Sequence, residues 1–248
     1  TALMWASAAG DSACVQSLID ANANVNAKDN KGQTPLITAS ESGHTSCVEL
    51  LIAAGARIEA KDSEEFTAFM RAAWGGHRVC AQCLLDAKAN IGATAKYGTS
   101  LLLLAAEKGQ SACVQLLVDA KANLEVNDSD GNTPLLLAAK KGHLSCVQIL
   151  VASNANLDAR GRYNTNALMN AVWWDAPACV KALLAAKAPI NAKTSYGWTA
   201  LICAACAGRN SFVQLLVDAK ADLQISDHEG YNALIIAARE GRTACVQL

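Results

Sequence analysis

TPLLLAAKKGH, residues 133–143, sets the register of the whole chain. Steps of 33 residues from Thr133 land on Thr1, Thr34, Thr67, Ser100, Asn166, Thr199 and Asn232, with no insertion or deletion between them. Each of these side chains carries an oxygen that can accept from an unpaired N–H in a first helical turn, so each reads as a helix N-cap. Pro35 and Pro134 follow at the first helical position, where a missing N–H costs nothing. Paired alanines come next, as at Ala72-Ala73, Ala105-Ala106, Ala138-Ala139, Ala204-Ala205 and Ala237-Ala238. Gly10, Gly43, Gly76, Gly109, Gly142, Gly208 and Gly241 then end the short helix.

Each unit reads as a first helix, a tight turn, a longer second helix and an extended hairpin. In the fourth unit the helices are expected at about Leu101–Lys108 and Ala112–Ala120, and Asp128, Asp130 and Gly131 suit the turn that follows. Leu102, Leu103, Ala105, Val114, Leu117 and Val118 form an apolar face that one unit cannot bury alone. The 33-residue period and the pattern T-P-L-x-x-A-A-x-x-G-H resemble the ankyrin repeat. The resemblance covers residues 1–248 and implies an all-α repeat solenoid, a right-handed curved stack of helix-turn-helix units with projecting hairpins. Its repeats fall at 1–33, 34–66, 67–99, 100–132, 133–165, 166–198, 199–231 and 232–248, the last incomplete. Thr1 opens on a repeat boundary and Leu248 stops inside a second helix. Solenoid ends need a polar outer face, so a longer parent chain is expected.

Two departures from the pattern stand out. In repeat six Asp175-Ala176-Pro177 replaces the turn Gly-His, and Gly161 and Asn164 stand where other repeats have Asp and Gly. Lys88, Lys121, Lys187 and Lys220 take the place of the family's Gly after the second helix. A left-handed backbone there costs a lysine roughly 1 kcal/mol, partly offset by the helix dipole.

The net charge is −1 and no polybasic run is present, so nucleic acid is not the expected partner. No apolar run approaches the roughly 18 residues that would cross a bilayer, and direct membrane insertion is not expected. Cys14, Cys47, Cys80, Cys113, Cys146, Cys179 and Cys245 share one slot, with Phe212 filling it in repeat seven. Equivalent positions on packed helices should lie about 8–10 Å apart, too far for a disulfide or a shared zinc. These thiols read as core residues. The C-x-x-C pairs at 80/83 and 203/206 each lie within a helix without a second pair at ligand spacing. Cys206 faces outward on the helical pattern and is expected to react first. So many unpaired cysteines place the chain in a reducing compartment, cytoplasmic or nuclear.

No phosphate loop, H-E-x-x-H or G-x-S-x-G is present, so no enzyme activity and no cofactor or metal is expected. His44, His77 and His143 occupy a turn slot and read as structural hydrogen-bonding residues, with His228 an exposed hairpin residue. Asp29, Asp62, Asp128 and Asp227 read as hairpin turn residues. In some ankyrin proteins an Asn at the slot of Asn26 and Asn191 is hydroxylated.

The resemblance also implies that partners bind to the hairpin tips and the exposed face of the first helices. Those slots hold Phe66, Trp74, Tyr97, Tyr163, Trp173, Trp174, Tyr196, Trp198 and Tyr231; only Trp5, Phe69 and Phe212 lie elsewhere. Trp and Tyr are the residues most enriched in binding hot spots. Six of the nine cluster at the expected hot spot of repeats six to eight, counting Tyr163 in the hairpin that leads into repeat six, and half covered they give roughly 450–750 Å², near the ~800 Å² per partner of a standard interface. The competing reading is that the rings staple neighbouring repeats. Lys31, Gln33, Glu41, Glu64, Glu107, Lys108, Asp130, Lys140 and Lys141 make the same slots polar and mixed in sign in the earlier repeats. The expected function is protein–protein interaction through the concave face. The alternatives are a scaffold or spacer in a larger assembly, and an accessory domain of an enzyme or channel encoded outside this segment.

Overall fold

The computed structural model describes residues 1–248. It contains sixteen α-helices and no extended strands, only isolated bridges at Thr94–Ser100 and Ser226–Asn232. Two compact units divide the chain, residues 1–123 and 124–248, each holding four helix pairs. The first unit runs α1 (Ala2–Ala9), α2 (Ser12–Asp20), α3 (Pro35–Ser42), α4 (Thr45–Ala53), α5 (Ala68–Trp74), α6 (Arg78–Asp86), α7 (Leu101–Lys108) and α8 (Ser111–Asp119). The second runs α9 (Pro134–Lys141), α10 (Leu144–Ala152), α11 (Ala167–Trp173), α12 (Pro177–Ala185), α13 (Ala200–Cys206), α14 (Asn210–Asp218), α15 (Ala233–Arg239) and α16 (Thr243–Val246). Within each unit odd-numbered helices stack on odd and even on even.

All eight expected caps form. Thr1, Thr34, Thr67, Ser100, Thr133, Asn166, Thr199 and Asn232 each accept from the N–H three residues on. The asparagine caps are shorter, 2.9 and 3.0 Å, than the hydroxyl caps at 3.3–3.4 Å. Leu102, Leu103, Ala105, Val114 and Leu117 are buried, and Val118 lies half-buried on the outer side of its helix. Pro177 opens α12, so the second helix of repeat six survives the altered turn.

The turn after each first helix needs a left-handed residue. Asp175 takes that role in repeat six at φ 61°, and its carboxylate pairs with Arg209 Nη1 at 3.1 Å. Lys88, Lys121, Lys187 and Lys220 are likewise left-handed, at φ 69°, 63°, 61° and 66°, with exposed side chains.

The residue after the turn ties one repeat to the one before it. His44 Nε2 meets Ala8 O at 3.0 Å and His77 Nε2 meets Glu41 O at 3.0 Å. Gln110 and Arg209 donate to Trp74 O and Val172 O in the same way, at 3.2 and 2.7 Å. A second set of rungs lies along the hairpins, where Lys28 donates to Lys61 O, Lys61 to Thr94 O and Lys193 to Ser226 O. Asn26 Oδ1 accepts from Arg57 N and Asn191 Oδ1 from Asp222 N, so both side chains hold the start of the following hairpin.

Gly43 and Gly55 separate backbone strain from the loss of a rung. Both are left-handed, at φ 77° and 81°, but a Cβ on Gly43 would sit 2.4 Å from His77 Nδ1 while one on Gly55 meets nothing. Gly55→Ala should cost about 1 kcal/mol of backbone strain. Gly43→Ala should cost about 1 kcal/mol more, because the His77 bond is displaced as well. Urea unfolding of the two variants measures the difference, and equal losses would show that the rung contributes nothing.

Candidate partner-binding site

The hairpins are shaped by one side-chain oxygen each. Asp29, Asp62, Asp128 and Asp227 accept, through Oδ1, the N–H groups two and four residues on, and Thr194 does the same through Oγ1. The equivalent positions Ala95 and Gly161 have no acceptor. There the chain turns through two consecutive left-handed residues, Tyr97-Gly98 and Tyr163-Asn164, the arrangement of a type I′ turn. A bulky residue in that region carries strain of roughly 1 kcal/mol. Tyr97 is 92% exposed, so its conformation places a large ring almost wholly in water.

In the first unit, Phe66 and Trp74 pack edge to face with centroids 5.6 Å apart. Arg71 lies 4.4 Å over Phe66 and Lys108 lies 4.2 Å over Trp74. The Arg71 fork donates to Asp62 Oδ2 from Nε and Nη2 at 2.9 and 2.5 Å, and its Nη1 reaches Glu41 at 3.4 Å. Asp62 is buried, so these bonds compensate a carboxylate taken out of water. Phe66 and Trp74 therefore sit in an internal knot and are half-buried, while Tyr97 stands apart from them in the exposed turn.

In the second unit the rings form two pairs, Tyr163 with Tyr196 at 5.8 Å and Trp173 with Trp198 at 6.1 Å. Tyr163, Trp173, Trp174 and Tyr196 are exposed, and Trp198 and Tyr231 are half-buried. Lys140 lies 5.3 Å over Trp174, Arg162 lies 4.9 Å over Tyr163 and Arg239 lies 5.3 Å over Tyr231. A cavity of about 490 Å³ opens beside the Trp173–Trp198 pair, walled also by Thr194, Tyr196 and Cys203 and rimmed by Asp227, His228, Glu229 and Arg239.

Periodicity alone shows neither the cations over the rings nor this cavity, because both depend on where long side chains lie. Trp5 was also outside the expected face, yet it is 78% exposed and lines a recess with Gln33 and Thr38. Arg71 occupies the equivalent slot in the third repeat.

The thiols depart from expectation at two points. Cys47, Cys80, Cys113, Cys146, Cys179 and Cys245 are buried, but Cys14 is exposed. Cys206, expected to react first, is only half-buried, and its thiol is pushed up by desolvation and then by Glu240. Burial pushes Cys203 up to about 12. No cluster of His, Cys, Asp or Glu could hold a metal ion.

Models of ankyrin repeats match residues 3–95, 102–194 and 168–248. The chain belongs to the ankyrin-repeat family. The crystal structure of the human ASB11 ankyrin repeat domain superposes with a TM-score of 0.67 at 22% identity, over 100% of this chain and 97% of that one. No curated protein sequence matches. The chain is accordingly a protein–protein interaction module of the ankyrin-repeat type.

Two measurements probe this chemistry. Arg71→Leu strands Asp62 in the interior and should lower stability by about 3 kcal/mol, read from the urea midpoint; a loss below 1 kcal/mol would mean that water replaces the guanidinium. Iodoacetamide labelling at pH 8, followed by mass spectrometry, should modify Cys14 first and leave Cys203 untouched in the folded protein, since the thiolate is the reacting form. Labelling of Cys206 as fast as Cys14 would contradict this order.

Proposed function

We propose that this ankyrin domain binds a protein partner through the aromatic face of its second unit, built from the hairpin turns and first helices of repeats six to eight. The observation that carries the reading is the exposure of Trp173, Trp174, Tyr163 and Tyr196 together on that face. Rings of this size left bare make a patch among the largest found on monomers, and such patches mark interaction sites. Half-buried Trp198 packs against Trp173, and half-buried Tyr231 lies under Arg239.

Phe66 and Trp74 belong to the competing class. Their cations and the Arg71–Asp62 pair fit a stapling role in the first unit, where the exposed rings are Tyr97, at 92%, and Trp5, at 78%. The mixed charge favours protein over nucleic acid, since phosphate binding needs clustered lysine and arginine. Ten unpaired cysteines fit a reducing compartment, cytosol or nucleus.

Trp174 is the best residue to test, being 56% exposed, with Lys140 over its ring. Trp174→Ala should change stability by less than about 1 kcal/mol while removing a protein that the wild type retains from native lysate. The Trp173/Trp174/Trp198→Ala triple variant should lose the same protein. Retention of identical proteins by all three would make the cluster structural and favour the spacer reading.

A further inference from the structure

We infer that the cavity beside Trp173 and Trp198 is an arginine pocket, taking a guanidinium side chain from a basic segment of the partner. The inference rests on the partner-binding reading and names the chemistry of one part of that face.

The chain supplies its own template. In the knot of the first unit, Asp62 of the hairpin, Phe66 at its end and Arg71 of the next helix fix one guanidinium by stacking and by two hydrogen bonds to one carboxylate oxygen. Five repeats on, the same slots hold Asp227, Tyr231 and Ile236. The aspartate and the ring are kept, but the arginine is replaced by a buried isoleucine. Asp227 Oδ1 is occupied by the N–H groups of Glu229 and Tyr231, as Asp62 Oδ1 is by those of Glu64 and Phe66. Its Oδ2, the oxygen that receives Arg71 in the template, forms no hydrogen bond or ion pair. One repeat earlier, the Arg71 slot holds Cys203, a small side chain that forms part of the cavity wall.

Cations lie over six of the nine rings outside the cavity, all but Trp5, Phe69 and Tyr97. Phe66, Trp74, Tyr163, Trp174, Phe212 and Tyr231 each carry a lysine or arginine of the chain itself. Trp173, Trp198 and Tyr196, the three rings of the cavity, carry none. At the rim, Asp227 and Glu229 make no ion pair, whereas Arg239 is held by Tyr231 at 5.3 Å and by Glu240 at 3.2 Å. The open aromatic wall with unpaired carboxylates beside it is complementary to a cation. A planar, weakly hydrated fork that stacks and bonds a carboxylate at once is arginine rather than lysine.

The probes are N-acetyl-L-arginine methylamide, its lysine counterpart and its citrulline counterpart, which keeps the shape of arginine without the charge. Binding is followed through the indole N–H resonances of Trp173 and Trp198, assigned from single Trp→Phe variants. The arginine probe should give saturable shifts at both indoles in the millimolar range expected of so small a ligand. Citrulline should bind about tenfold more weakly, and Asp227→Asn should weaken arginine by about tenfold. Asparagine at 227 retains the oxygen that caps the turn, so this variant keeps the hairpin. Equal binding of citrulline, tighter binding of lysine, indifference to Asp227→Asn or the absence of saturable shifts would each overturn the assignment. Trp174 lies outside the cavity, so partner loss on Trp174→Ala reports on the face whatever the pocket binds.

Discussion

A helix of seven to nine residues does not persist alone in water, because nucleation is costly and so few bonds follow it. Every long element in this protein has that length. The structure therefore depends on one constraint: each short helix must be buried against helices of the same kind, and every first helix is started by a side-chain cap of its own. The caps at Thr34 or Asn166 satisfy a first-turn N–H locally, and stacking removes leucines and alanines from water on both sides. The His44 and His77 bonds join these two requirements, because a side chain at one turn satisfies a carbonyl at the end of the preceding first helix.

That constraint explains why the fold was legible in the residues and the site was legible only in part. Caps, turn glycines and paired alanines are local necessities that recur with the unit, so a period of 33 exposes them without knowledge of any contact. The left-handed lysines at 88, 121, 187 and 220 follow from the same register, since the backbone demands that conformation whichever residue is present. A repeat pattern also shows which slots point outward, and it puts Trp173, Trp174 and Tyr196 there correctly. It does not show what a long side chain does after leaving its slot. Arg71 folds back onto Phe66 and Asp62, and Lys108 onto Trp74, turning two expected binding rings into half-buried ones. Cys14 fails differently: its slot is core only where a helix covers it, and the pattern carries no record of whether one does.

Strain in the hairpins follows whether the turn has a side-chain cap. At Asp62, Asp128 and Asp227 a carboxylate caps the hairpin and one left-handed residue suffices. At Ala95 and Gly161 the cap is missing and a tyrosine enters the left-handed region as well. Both tyrosines end up at exposed turn tips, one of them almost wholly in water. A glycine would relieve that conformation, and neither tyrosine is part of the buried core.

The repeat also makes the difference between a staple and a site a matter of a single slot. Aspartate at the turn, an aromatic at the end of the hairpin and a cation on the next helix close on one another in the 62/66/71 set, and the carboxylate is buried. Isoleucine at position 236 leaves the homologous aspartate with an oxygen unused, and cysteine at 203 leaves room beside Trp198. The geometry of the hairpin is unchanged by the exchange, since Oδ1 of Asp227 still caps its turn. Losing the internal cation therefore costs no local structure and exposes a face already shaped for one. An array whose units are stabilised by capping and stacking can vary such slots independently. The residues that depart from the rule at 203, 227 and 236 are for that reason better guides to recognition than those that keep it.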